Sequence, residues 1–218
     1  MGCYLKNTGN VAQWVVTGLK AHMNKSSKSA VWNKGVTVGR KRPFTKEQVA
    51  LIRAGLAAQG DLRATALFET GICTVLRSSD LLQLRVRDVM SEGQMIETFE
   101  VRQRKTNTLV EVDLSEEAIE ALMVYITTSN LEAGQRLFPI GRFRHSQIVK
   151  SWARMAYADP RFYSTHSIRR TYPTFMHKET GSHEYARKML GHTNLARTAV
   201  YLGVENEDVR AAKKKHRI

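Results

Sequence analysis

The chain has little of what would tie it to a membrane, a disulfide scaffold or a bound metal. No apolar run approaches the ~18 residues that a bilayer span requires, so no transmembrane helix is expected. Two cysteines in 218 residues, Cys3 and Cys73, provide neither a disulfide framework nor a zinc spacing. Both are read as reduced thiols, with Cys73 in the core. There is no His-Glu-x-x-His, no Asp-rich calcium loop and no Cys/His cluster. His166, His177, His183 and His192 follow one another at intervals of 11, 6 and 9 residues, which does not place two imidazoles on one helical face. No P-loop is present, so ATP use is not expected. These absences lead to an expectation of no metal and no cofactor. The N-terminus also lacks a charged-then-apolar leader, which makes a location inside the cell the expectation.

Acidic residues are scarce as well. Lys and Arg exceed Asp and Glu by 34 − 20 = 14, and the pI is near 10.0. Such an excess favours a polyanionic partner, with nucleic acid the usual one, over a charge kept for solubility. Its distribution strengthens that reading. Residues 1–42 hold eight Lys or Arg and no Asp or Glu, so more than half the excess sits in the first fifth of the chain. This stretch is read as a basic arm ending in Arg40-Lys41-Arg42. It is either a solvated tail or a short amphipathic helix from about Val11 to His22, which would need a tertiary partner to be stable.

Residues 43–218 read as one folded domain. Thr45-Lys46-Glu47-Gln48 fits a capping box opening a helix to about Ala58. A second helix is expected from Leu62 to Val75, then a short one from Asp80 to Leu84 capped by Ser78 or Ser79. Met95 to Val101 alternates in the manner of a strand, and Leu109 to Leu114 is its expected partner. The turn between them holds Arg104-Lys105-Thr106-Asn107, with Asn107 tolerant of a left-handed conformation. Ser115 opens a helix to about Thr127, with acids in its first turn where the dipole favours them. Residues 134–141 read as a loop. Helices follow near Ser146–Ala156, Ser167–Lys178, His183–Leu190, Asn194–Leu202 and Glu205–Lys215. The sum is a mainly α domain with a small antiparallel β-sheet near its middle.

Within this pattern some residues do nothing for a helix. His166 and Arg169, three apart, share one face at a helix start. His192 follows Leu190-Gly191, and Tyr201 comes nine residues later. Arg77 stands between two earlier helices, three residues before Asp80, and Lys105 sits on the hairpin turn. Each alone has an ordinary reading: salt bridge, solvated turn, helix cap, core tyrosine. Together they match the needs of metal-free attack on a phosphate diester. The pentacoordinate transition state gains a second negative charge, and fixed cations must meet it, each donor worth ~10²–10³ in rate. The arginine fork suits phosphate oxygens. A nucleophile and a proton donor for the leaving oxygen complete the set.

The ordered series Arg77-Ser78-Ser79-Asp80-Leu81-Leu82-Gln83-Leu84, Lys105-Thr106 on a hairpin, His166-Ser167-Ile168-Arg169, Leu190-Gly191-His192 and Tyr201 resembles the catalytic domain of the tyrosine recombinases, the phage integrase family, over about residues 43–204. The resemblance implies a site-specific recombinase, independent of metal and ATP. Tyr201 would attack the phosphate to give a 3′-phosphotyrosine, and Arg77 and Arg169 would clamp the nonbridging oxygens. Lys105 would protonate the leaving 5′ oxygen, with Arg104 a rival for that role. His166 would be the general base, His192 a hydrogen-bond donor to the phosphate, and Asp80 a support for Arg77. Arg40, Lys41, Arg42, Arg104 and Arg170 are further candidate DNA contacts. The implied assembly is a homotetramer on paired DNA sites, with accessory DNA-bending proteins as further partners, in the cytoplasm of a bacterium or a phage-infected cell and associated with the nucleoid.

The chain departs from the family's pattern at several points. Val75 stands where Gly is frequent, which reads as a packing change. Asp80 replaces the commoner Glu, and Arg170 follows Arg169 where His is frequent. Only 42 residues precede the catalytic domain, where most of the family carries a separate clamp domain. They are read as an arm or a remnant of that domain. Two alternatives share parts of the pattern. Leu190-Gly191-His192-Thr193-Asn194 between helices also suits a noncatalytic helix-turn-helix regulator. A type IB topoisomerase would use the same chemistry to relax supercoils.

Overall fold

The structure, a computed structural model, describes residues 39–191 and Thr198. The expected helices at Val11–His22, Asn194–Leu202 and Glu205–Lys215 lie outside the described residues. The chain divides into two units between Gly39 and Arg40, and the second unit is the one described below.

Helix α1 spans Lys46–Gln59. Thr45 accepts from the Gln48 amide while the Gln48 side chain accepts from the Thr45 amide, and Gly60 ends the helix in the left-handed conformation at φ 63°. Helix α2 runs Leu62–Cys73, capped by Asp61. It stops two residues before the expected end because Val75 has φ 54°. That conformation costs a β-branched residue about 1–2 kcal/mol and costs glycine almost nothing. The reading of Val75 as a packing change is therefore corrected: the demand at this position of the chain is a left-handed backbone.

The short helix α3 is Ser78–Leu81, and Arg77 occupies its N-cap position without a side-chain capping bond. Neither expected serine caps it. Ser78 lies inside the helix, and its hydroxyl is 2.8 Å from Nδ1 of the buried His145. Helix α4 (Val86–Val89) leads into a small hairpin, β1 (Met90–Ser91) with β2 (Gln94–Met95), turned by Glu92 and Gly93 at positive φ. The single strand expected over Met95–Val101 is thus two pieces, because Ile96 turns its amide to Val89 O. Strand β3 is Thr98–Arg102, and its antiparallel partner β4 is Leu109–Asp113, in register from Thr98↔Asp113 to Arg102↔Leu109. Asn107 takes the left-handed turn position at φ 54°.

Helix α5 (Glu116–Thr128) is capped by Ser115. Helix α6 covers Arg142–Met155, starting a full turn before the expected Ser146. Its start carries neither a capping side chain nor an acidic first turn, so the usual markers are missing. A 3-10 turn at Pro160–Phe162 precedes α7, Thr165–Thr180, which is capped by Ser164 and continues through Pro173. Helix α8 is His183–Leu190, as expected, and Gly191 closes it at φ 61°. The sequence expectation of a mainly α fold with small antiparallel sheets holds. The sheet consists of two separate two-stranded pieces.

The core lies among α1, α2, α5, α6 and α7, with Phe44, Phe68, Phe138 and Trp152 all fully buried. Phe68 meets Trp152 edge-on with ring centroids 5.1 Å apart. The one carboxylate buried in α2, Glu69, is gripped by both Arg53 nitrogens at 2.7 and 2.8 Å. Cys73, expected in the core, is a partly buried free thiol packed against it, and burial pushes the thiol pKa up to about 11.

A close approach between helices joins the two that flank the polar residues. A Cβ placed on Gly71 of α2 would lie 2.9 Å from Cγ2 of Ile168 on α7. Gly71→Ala should gain about 1 kcal/mol in helix propensity and lose about 1–3 kcal/mol to overpacking against a stiff β-branched neighbour. The expected net change is a loss, read by urea denaturation, and a gain in stability would show that the two helices separate freely. A second prediction concerns acid. Burial pushes the His145 imidazole down to about 4 from its ordinary 6.5. A depressed histidine contributes stability that is complete above its unfolded pKa and is lost as pH falls from 6.5 towards 4. Roughly 2–3 kcal/mol should disappear across that window. His145→Gln should flatten the fall, and an unchanged slope would remove His145 as its source.

Candidate active site

Three separate segments bring their polar residues to one open cleft of about 680 Å³. The α2–α3 junction supplies Arg77, the β3–β4 turn supplies Arg104 and Lys105, and the first turn of α7 supplies His166 and Arg169. The segment before α6 and its first residue add Arg136 and Arg142, which sequence reasoning missed because they lie in an irregular stretch with no motif. Among the described residues the cleft wall thus holds five arginines and one lysine, and no carboxylate lines it. Lys105 and Arg104 are both exposed on the turn, so the rivalry between them stands.

Each segment is held by a specific local reason. Arg77 is extended at φ −66°, ψ 147°, which aims its side chain away from the helix it caps. Its Nη1 donates to Oε1 of Gln103, a residue only 2% exposed. Gln103 was absent from the sequence-based candidates because a lone glutamine at a strand end carries no motif. Asp80, expected to support Arg77, does something else: its Oδ1 accepts from the Arg104 amide at 3.2 Å and from Ser79 Oγ at 3.2 Å. Its carboxylate therefore fixes the hairpin turn, and the Arg77 fork is met by an amide. The difference follows from the short α3, which points the Asp80 side chain at the turn.

Arg169 is 2% exposed, and its Nη2 donates to the carbonyl of Leu190 at 2.7 Å. The buried guanidinium thereby ties α7 to the end of α8, one residue before Gly191. His166 has solvent at its outer edge, yet its pKa is lowered. Desolvation by the cleft wall is the larger cause, followed by the cations Arg169, Lys105, Arg170 and Arg77. Both causes disfavour the charged imidazolium. His192 and Tyr201 lie outside the described residues. Thr198, three residues before Tyr201, is fully buried.

Arg170 has a different place from the one expected. It is 7% exposed, and its Nη1 donates to the carbonyl of Lys41. A guanidinium committed to main chain inside the protein is not presented to a DNA groove, so its candidacy as a DNA contact is withdrawn. It anchors the entering strand instead. There Lys41 Nζ donates to Arg161 O at 2.7 Å, and the Arg42 guanidinium lies 4.4 Å from the centre of the Phe162 ring. Arg40 and Arg42 stay exposed.

His177 and His183, separated in sequence, are stacked with ring centroids 4.2 Å apart, because Gly181 reverses the chain at φ 67°. The His177 pKa is lowered by burial and then by its neighbour. Among the described residues no group of three potential metal ligands occurs.

The phage integrase family profile matches residues 42–208. Among similar proteins, YoeC of Bacillus subtilis (strain 168), a probable integrase/recombinase, is 26% identical over 155 residues, which cover 68% of this chain and 81% of that protein. The putative integrase/recombinase y4gC of Sinorhizobium fredii (strain NBRC 101917 / NGR234) is 28% identical over 158 residues, covering 69% and 81%. Among solved structures, XerA recombinase superposes with a TM-score of 0.65 at 19% identity, over 83% of this chain and 66% of that one. XerH recombinase, in a post-cleavage complex with its difH substrate, gives 0.62 at 17% identity, over 80% and 53%. The chain thus spans about two thirds or less of these solved recombinases, and the likeness to them is one of fold.

Proposed function

The chain belongs to the phage integrase family, whose members break and rejoin DNA, and on that premise we propose that its cleft holds the scissile phosphate of a double-stranded DNA recombination site. The observation that carries this reading is the wall of six cations, without a carboxylate among the described residues. Such a wall repels itself unless an anion fills it, and a phosphate diester approaching its transition state supplies growing negative charge at that place.

In this reading Tyr201 attacks phosphorus, its oxygen forming a 3′-phosphotyrosine while the 5′ oxygen leaves. Neutral His166 takes the tyrosine proton. Its lowered pKa suits that role, since an imidazolium would have no lone pair to offer. Arg77 and Arg169 bind the nonbridging oxygens. Lys105, exposed on a turn held to α3, protonates the leaving oxygen, and His192 donates to the phosphate. Rejoining reverses the step, because the phosphotyrosine bond keeps the energy of the broken one, and ATP is not required.

The partners follow the same reading. XerH was solved on its difH substrate, the Tn1549 integrase on circular intermediate DNA, and lambda integrase as a dimer on a core site. For this chain we propose duplex DNA and assembly as a tetramer on paired sites. Accessory DNA-bending proteins and a nucleoid location in the cytoplasm of a bacterium or phage-infected cell belong to the proposal as well. Residues 1–42, with Arg40, Lys41 and Arg42 at their end, are proposed as a basic arm on the DNA backbone, and residues 43–218 as the catalytic domain. Among the described residues no helix is long and apolar enough to cross a membrane.

The first test is a covalent adduct. Nicked suicide duplexes carrying inverted repeats from the DNA that flanks the coding region should trap the protein on a denaturing gel, and Tyr201→Phe should abolish the band. An adduct persisting in that variant overturns the Tyr201 assignment. Sequence-specific binding without any adduct would identify a regulator, and relaxation of plasmids lacking a site, without recombinants, a topoisomerase. Arg77→Ala should slow adduct formation by roughly 10²-fold or more with DNA affinity largely kept, as for loss of a transition-state donor. Equal losses in binding and cleavage would argue against the clamp.

A further inference from the structure

Behind the cleft wall, one uncharged side chain touches the groups on which the chemistry depends. Gln103 directly follows β3 and is 2% exposed. Its Oε1 accepts from Arg77 Nη1 and, at 3.0 Å, from Thr106 Oγ1. Its main chain closes the turn that carries Lys105, with Gln103 N donating to Thr108 O and Asn107 N to Gln103 O, each at 2.8 Å. Its Nε2 lies 3.3 Å from where a Cβ on Gly191 would sit. Gly191 directly precedes His192 in the chain.

We propose that Gln103 is a positioning residue for strand cleavage: it holds the Arg77 guanidinium towards the phosphate and, through the same oxygen and its own main chain, sets the turn that carries Lys105. The choice of an amide has a physical reason. Arg77 shares its cleft with Lys105, Arg169 and three further cations, and a long side chain among like charges swings out to water unless something fixes it. A carboxylate would fix it and also neutralise it, removing charge that the transition state needs. An amide oxygen fixes it and leaves the positive charge whole. The nearby carboxylate, Asp80, is turned to the Arg104 amide instead, which keeps its charge off the Arg77 fork.

The proposal rests on the reading of Arg77 as a phosphate clamp, and the experiment separates the two. Adduct formation is timed on the suicide duplex for the wild type, Gln103→Leu, Arg77→Ala and the double variant, with Gln103→Met run alongside because it keeps the buried volume. Gln103→Leu is expected to slow the adduct roughly 10–100-fold, as when a group that orients a first partner is lost, with DNA affinity unchanged. The double variant is expected to be no slower than Arg77→Ala alone, because both changes remove one function. A duplex with a methyl group in place of one nonbridging oxygen of the scissile phosphate has less charge to neutralise, so on it the gap between Gln103→Leu and the wild type should close to about threefold or less. A wild-type rate in Gln103→Leu, losses that multiply in the double variant, or an equal gap on both duplexes overturns the assignment. So does failure of both Gln103 variants to fold, which would make the residue part of the scaffold only. If the wild type itself forms no adduct, the clamp reading falls first.

Discussion

The site depends on one close contact between helices. Gly71 on α2 lets Ile168 of α7 approach to within 2.9 Å of where a Cβ would lie. Ile168 is followed by Arg169, and Gly71 precedes Arg77 by six residues. Whatever spacing these helices keep is passed directly to the two guanidiniums proposed to grip one phosphate. A buried contact can enforce such a distance because protein interiors are close-packed and yield little. A surface ion pair could not, since exposed pairs contribute ~1 kcal/mol or less.

That stiffness is needed because the cleft works against itself electrostatically. Among the described residues six cations face one space with no acid beside them. Two of them are held from behind by a neutral or main-chain group, Arg77 by Gln103 and Arg169 by the Leu190 carbonyl. The acids sit elsewhere, with Glu69 on Arg53 and Asp80 on a backbone amide. Charge compensation is thereby left to the ligand. The same cations add to burial, the larger cause, in lowering the His166 pKa.

Much of the architecture was legible because its markers are local. The Thr45–Gln48 box, the Ser115 cap, the Asn107 turn and the Gly191 stop all act within four residues. Where such markers were missing, the sequence misled. Helix α6 begins without a cap or acid, so its first turn was taken for loop, and with it Arg142. Arg170 looked like one more cation, since nothing local reveals that the Lys41 carbonyl, 129 residues away, accepts its hydrogen bond. The stacked His177 and His183 were dismissed on helical spacing, which fails once Gly181 turns the chain back.

By itself, the sequence determined the chemistry on offer: basic residues in family order, a tyrosine nine residues after a histidine, a charge balance that calls for a polyanion, and helices bounded by local caps. Only the tertiary structure decided which of these residues meet. It placed Gln103 behind Arg77, sent Asp80 to the hairpin and Arg170 inwards, and added Arg136 and Arg142 to the wall. The reason is that caps and turns are short-range, set by a few dihedral angles. Partnership between segments tens of residues apart is set by which faces pack together, and no single segment holds that information.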